Sequence, residues 1–224
     1  MPRVLNLVLT PLHTSAHTLT QAQYGLYQGL FAYMILGNVL LTYGMETAFF
    51  RFMNREEDPK RVAATCLTSL VVTTLVFLGV GLLLSQSIAV WLSYPAIYIR
   101  YAIWILALDT LVAIPFAWYR YSGQSLHYAF IKIGNVTVNL GLNLLFLLYF
   151  PFLESKGYRL PLMELVSDKT QYIFLANLIA SLLTFIYMLP LYKRIGFLWD
   201  VALWKRLFQY AFPVLIAGIA FSIN

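Results

Sequence analysis

The sequence carries too little charge for a protein that lives in water: Asp, Glu, Lys and Arg together supply 11 % of its 224 residues. Soluble domains carry about 25 %. There is a single cysteine, Cys66, which excludes an internal disulfide and a thiolate metal cluster. No glycine-rich phosphate loop, no His-Glu-x-x-His pair and no Ser/His/Asp set is present. The residue inventory therefore disfavours catalysis, and the chain reads as a non-enzyme without a cofactor or a metal site. With 12 Gly and 9 Pro, collagen-like and mucin-like chains are excluded too.

What is present is apolar. Hydrophobic residues make up 61 % of the chain and mean hydropathy is +0.75. A sphere of this size cannot hide that much apolar surface from water, so the solvent is lipid. Disorder is excluded on the same ground. A net charge of +6 would suggest nucleic acid in a soluble protein. In a membrane protein it marks cytoplasmic loops, and no nucleic-acid partner is expected.

Five apolar runs are long enough to cross a bilayer: Tyr24–Phe50, Val62–Leu84, Ile97–Tyr119, Ile133–Leu153 and Tyr172–Tyr192. Each exceeds the roughly 20 residues a crossing helix needs. Val4–Leu12 and Val214–Ile223 are too short to cross, and they read as parts of a first and a seventh helix. Numbered one to seven, the segments sort the basic residues by side. Arg51, Arg55, Lys60, Arg61, Arg120, Lys132, Lys193, Arg194, Lys205 and Arg206 fall on one side, and Arg100, Lys156, Arg159 and Lys169 on the other. The positive-inside rule then predicts a multi-pass protein of the inner (plasma) membrane with a cytoplasmic N-terminus. Trp199–Phe208 reads as an interfacial helix, with Leu203, Trp204, Leu207 and Phe208 as its apolar face.

Polar residues within apolar spans are costly, and they carry the functional candidates. Asp109 lies near the middle of span four. It is either a proton, cation or substrate site, or an acid that locks two helices together. Asn135, Asn139 and Asn143 recur every four residues along span five, which puts them on one stripe. That stripe is either helix–helix glue or one wall of a polar lumen offering amides to sugar hydroxyls. Glu46 and Arg51 at the end of span two either neutralise one another or leave Arg51 to read an anionic headgroup or pyrophosphate. Asp109 and Asn143 each lie ten residues from one end of their span, a depth of about 15 Å. They are expected to face each other or to share a lumen. His13 and His17 are a weak metal signal without a nearby carboxylate, and they read as outer-loop residues. His127 is given no role.

Several segments together resemble one family. Arg3-Val4-Leu5-Asn6 through Leu9-Thr10-Pro11-Leu12 to Tyr24-Gly25 resembles the opening of the multidrug/oligosaccharidyl-lipid/polysaccharide (MOP) flippase superfamily. So does Leu40-Leu41-Thr42-Tyr43-Gly44-Met45-Glu46-Thr47-Ala48-Phe49-Phe50-Arg51-Phe52. Pro115-Phe116, Arg120, Gly123 and Lys132-Ile133-Gly134-Asn135, followed by Asn139 and Asn143, are similar to the fourth-to-fifth helix passage of its polysaccharide branch. Tyr210-Ala211-Phe212-Pro213 to Asn224 looks like the start of its seventh helix.

The resemblance implies an all-α integral membrane protein of MATE/MOP-like fold. Residues 1–192 would form a six-helix transporter lobe with a truncated first helix, 193–212 a cytoplasmic interfacial linker, and 213–224 the start of a second lobe. Lobes of this kind rock against each other around a substrate between them, so a fragment with one lobe is not expected to flip substrate alone. The polysaccharide branch resembles Wzx-type flippases, which move undecaprenyl-diphosphate-linked oligosaccharide between leaflets for surface polysaccharide and lipopolysaccharide. Arg51, Arg120 and Lys132 then become candidates for the diphosphate, although their places near an interface suit plain topology signals equally. Membrane lipids, glycosyltransferases and a polymerase would be its partners. The alternatives are a lipid II flippase, an extruder coupled to H+ or Na+ through Asp109, or a non-transporting scaffold for glycan assembly.

Overall fold

The computed structural model describes residues 20–56, 58–157 and 168–223. Val4–Leu12, His13 and His17 lie outside these residues. Every regular element among the described residues is helical. Five helical stretches are long and apolar enough to cross a membrane: Gln23–Met53, Pro59–Leu83, Ala96–Tyr121, Ser125–Leu153 and Lys169–Ile195. They coincide with spans two to six, and the chain is an all-α, multi-pass membrane protein.

Span two is α1 (Gln21–Thr42) followed by α2 (Met45–Met53). Thr20 starts it with a capping box: its hydroxyl accepts from the Gln23 N–H, and the Gln23 side chain accepts from the Thr20 N–H. The break between the two helices falls at Tyr43 (φ 34°) and Gly44 (φ 71°), both left-handed. Span three is α3 (Pro59–Leu83). The Asp58 carboxylate accepts from the Lys60 and Arg61 N–H groups, and Pro59 opens the helix where no donor is needed. The short α4 (Ser85–Leu92) leads into span four, which is α5 (Ala96–Leu111) and α6 (Ala113–Tyr121). Span five is α7 (Ser125–Leu144), a π-helical turn at Leu145–Tyr149 and α8 (Phe150–Ser155). Span six is α9 (Lys169–Ile195), capped by Asp168. Asp168 also accepts from Gln23 and from the Tyr98 hydroxyl, so one carboxylate joins the ends of spans two, four and six.

The break in span four has a local cause. Pro115 has no N–H to give to the Leu111 carbonyl one turn back. In hydrocarbon that carbonyl must be satisfied some other way, and the Tyr192 hydroxyl of span six donates to it at 2.6 Å. Tyr192→Phe is therefore expected to lower the unfolding free energy by about 1–3 kcal/mol. The readout is the thermal midpoint in detergent, and an unshifted midpoint would mean that another donor reaches Leu111.

The last helix departs from the sequence reading. Val201 to Phe208 and Val214–Ile223 are two parts of one helix, α10 (Val201–Ile223), and Trp199 and Asp200 stand just before it. Its charged turn does not interrupt it because Lys205 is exposed and Arg206 reaches Glu56 at 2.6 Å. Leu203, Leu207 and Ala211 recur every four residues and are buried against the basic end of the bundle. Ser69 Oγ shares a 2.5 Å hydrogen bond with the Tyr43 hydroxyl and accepts from Trp204 Nε1 at 2.8 Å. That network ties the break in span two to span three and to α10. Asp200 caps α10 by accepting from the Leu203 N–H and pairs with Arg61. The backbone bond, with the Arg61 charge added, holds its carboxyl below the usual range.

Two apolar clusters fill the bundle. One, at the basic end, centres on Met45, Phe49, Leu67, Ile114, Met188 and Leu207. The other, at the opposite end, centres on Leu30, Ile103, Ile105, Phe146, Ile173 and Phe174. Val72, Val76, Val80, Leu182 and Ile186 are exposed apolar side chains on the outside, as expected of a surface solvated by lipid.

Candidate functional site

Along the two clusters runs a groove walled by spans two, four, five and six. It consists of two hollows of about 280 and 330 Å³, the first mostly polar and the second mostly apolar with carboxamides set into its wall. Asn38, Asp109, Asn135 and Asn177 line both, so the hollows adjoin. Toward the basic end the wall carries Glu46, Arg120 and Lys132; toward the other end it carries Tyr27, Gln28 and Asn139. Gln28 and Thr42 are 14 residues apart in α1, about 21 Å along the helix. That is about two thirds of the roughly 30 Å thickness of a hydrocarbon core.

At the basic end Glu46 pairs with Arg120 of span four, not with Arg51. The Arg120 guanidinium also lies over the rings of Phe50 (4.9 Å) and Tyr128 (5.3 Å), and its Nε is buried with no hydrogen-bond partner among the described residues. Arg51 instead stacks on the Tyr210 ring of α10 at 4.1 Å, away from the groove. The expected Glu46–Arg51 neutralisation fails because the two lie five residues apart in one helix, about 140° around α2, so that Glu46 faces the groove while Arg51 is exposed.

Lys132 is also corrected. The sequence puts it in the loop between spans four and five, but the helix of span five begins at Ser125 and contains it. Its ammonium lies 4.2 Å from the Phe116 ring centroid, and among the described residues no carboxylate pairs with it. The charge is tolerated in the span because it faces the groove and not lipid.

Asp109 occupies the junction of the hollows. Its carboxylate accepts from Ser181 at 2.8 Å and remains open to the groove. The asparagines of span five do form one stripe, and it faces span six. Asn135 donates to Thr184 (2.9 Å) and Asn139 donates to the Asn177 side chain (3.3 Å). Asn143 is fully buried and donates back to Asn139 at its carbonyl and at Oδ1, both at 2.8 Å. Asn143 lies outside both hollows, so Asp109 shares its polar surroundings with Asn135 and not with Asn143. The expectation assumed that consecutive spans four and five touch at this depth; span six packs against both and stands between them.

Glue and lumen wall are thus one and the same for Asn135 and Asn139: each bonds a neighbouring helix and also lines the groove. The sequence reading passed over Asn38 and Thr42 of span two and Asn177, Ser181 and Thr184 of span six. Both sets had a signal. Asn38 and Thr42 are four residues apart in α1, and Asn177, Ser181 and Thr184 four and three apart in α9, each set on a single helical face.

His127 lies outside the groove, stacked on Tyr119 and within 3.1 Å of the Tyr187 hydroxyl. Among the described residues no three His, Cys, Asp or Glu side chains are grouped to hold a metal ion. Comparison with protein-family models, with curated proteins and with solved structures finds no match.

Proposed function

We propose that the chain is one lobe of a MOP-type transporter and lines part of the path by which lipid-linked oligosaccharide, anchored on undecaprenyl diphosphate, crosses the membrane. The observation that carries this reading is the polar groove, which runs most of the depth of a bilayer and has Arg120 and Lys132 at one end. A diphosphate needs cations in a desolvated setting, and Arg suits it through planar, two-point hydrogen bonding. The sugars need amide donors and acceptors, which Asn38, Asn135, Asn139 and Asn177 supply farther along. In this reading the basic end faces the cytoplasm of the inner membrane, where the lipid-linked unit is assembled by glycosyltransferases.

The test is deletion of the gene that encodes the chain in its own host. Surface polysaccharide should be lost while lipid-linked oligosaccharide accumulates on the cytoplasmic leaflet. Normal surface polysaccharide and no accumulation would refute the assignment.

A second reading has its own observation. Asp109 opens to the groove with Ser181 as its one hydrogen-bond donor among the described residues, as a site exchanging H+ or Na+ would require. Under that reading the protein is an ion-coupled extruder. Asp109→Asn would then abolish transport driven by an ion gradient while leaving the fold intact.

A further inference from the structure

The hollow beyond Asp109, on the side away from Arg120, has a chemistry of its own. Its polar lining is made of carboxamides: Gln28, Asn38, Asn135, Asn139 and Asn177. Asp109 is the one charged side chain lining it among the described residues; Arg120 and Lys132 line only the neighbouring hollow. Each carboxamide brings two donors and an acceptor oxygen. The structure leaves part of this capacity open: Asn135 and Asn139 each donate one hydrogen bond to span six, Gln28 donates to the Tyr24 hydroxyl, the side-chain oxygens of Asn139 and Asn177 accept from Asn143 and Asn139, and the Asn38 side chain makes no hydrogen bond among the described residues. Tyr27 and Phe31 add ring surface to the wall, against which the C–H faces of a sugar can rest. At about 330 Å³, the space falls within the roughly 300–1,000 Å³ of small-molecule sites.

We infer that this hollow is a binding site for the uncharged, hydroxyl-rich units of a glycan, and that it selects against acidic sugars. A uronate carboxylate entering it gives up its hydration and meets no cation on the hollow's own walls, since Lys132 stands in the neighbouring hollow and already interacts with Asp109. It meets Asp109 instead. A neutral or N-acetylated sugar exchanges hydrogen bonds with water for hydrogen bonds with the amides and pays no charge penalty. The inference rests on the transporter reading only for how a glycan reaches the site.

The test is equilibrium binding to the purified protein in lipid nanodiscs. The probes are a neutral N-acetylhexosamine tetrasaccharide and a tetrasaccharide of equal length containing a uronate, neither carrying lipid or phosphate. The neutral glycan should bind at least about tenfold more tightly. Asn38→Leu should weaken the neutral glycan by about tenfold, because it replaces sugar-facing polar groups with an alkyl surface. Gln28→Arg, at an exposed groove position, should bring the two affinities within about threefold by strengthening the acidic glycan. Equal binding of the two glycans, a preference for the uronate, or no binding of either would overturn the inference, as would an unchanged ratio in Gln28→Arg. Because the probes lack the diphosphate, this result can fail while the deletion phenotype holds, and the reverse.

Discussion

Gly44→Ala should destabilise the protein by about 2–4 kcal/mol, two effects adding. Gly44 has φ 71°, a conformation that costs an L-residue about 1–2 kcal/mol. A Cβ there would also sit 2.6 Å from the Ala211 carbonyl oxygen and 3.1 Å from Val214 Cβ. The first of these is backbone and cannot swing away, so α10 must shift off span two, a form of overpacking that costs about 1–3 kcal/mol. Gly25→Ala provides the opposite sign. Gly25 lies within α1, and a Cβ there meets nothing within 4 Å; alanine should stabilise by about 0.5–1 kcal/mol. Thermal midpoints in detergent read both. A Gly44→Ala midpoint equal to the wild type would show that α10 is not held against the break in span two.

In the assembled transporter, Arg120→Ala should reduce transport of lipid-linked oligosaccharide at least about tenfold, because an ionic contact to the substrate is lost. It should cost only about 1 kcal/mol of stability, since both Arg120 and Glu46 are partly exposed and the pair is worth little in itself. Arg120→Lys should recover part of the transport: the charge remains, while the planar fork and its stacking between Phe50 and Tyr128 are lost. Arg51→Ala should transport near the wild-type level, because Arg51 stacks on Tyr210 outside the groove. Initial rates at matched expression separate these variants. Equal losses in Arg51→Ala and Arg120→Ala would place the substrate contact outside the groove.

Sequence reasoning located the spans well and their mutual contacts poorly. Uninterrupted apolar runs mark Val62–Leu84 and Tyr172–Tyr192 to within three residues of the helices Pro59–Leu83 and Lys169–Ile195, because hydrocarbon admits almost nothing but a helix there. Span five was set eight residues short at its start, since Lys132 looked like a loop residue. A lysine within a span is legible only once the groove it faces is known. The period of Asn135, Asn139 and Asn143 gave the stripe but not its partner: span six, entering between spans four and five, is a fact of packing with no local signature. Glu46–Arg120 joins residues 74 apart in sequence, whereas Arg51, near in sequence, lies five positions on and about 140° around α2 from Glu46. Pro115 was visible as a motif residue, but its consequence depends on Tyr192, 81 residues away from Leu111.

The central claim is that a polar, water-accessible groove crosses the membrane between spans two, four, five and six. Cysteine accessibility in membranes tests it most directly. Cys66 is buried and is first replaced by alanine, leaving a background without thiols. Single cysteines then go to Asn38 and Asn177 in the groove and to Val76 and Ile186 on the outer apolar surface. The cysteine thiolate, which forms only where water reaches the sulfur, attacks a small water-soluble electrophilic reagent. The account predicts rapid labelling of Asn38→Cys and Asn177→Cys and none of Val76→Cys or Ile186→Cys. Groove cysteines as inert as the two on the outer surface would contradict it.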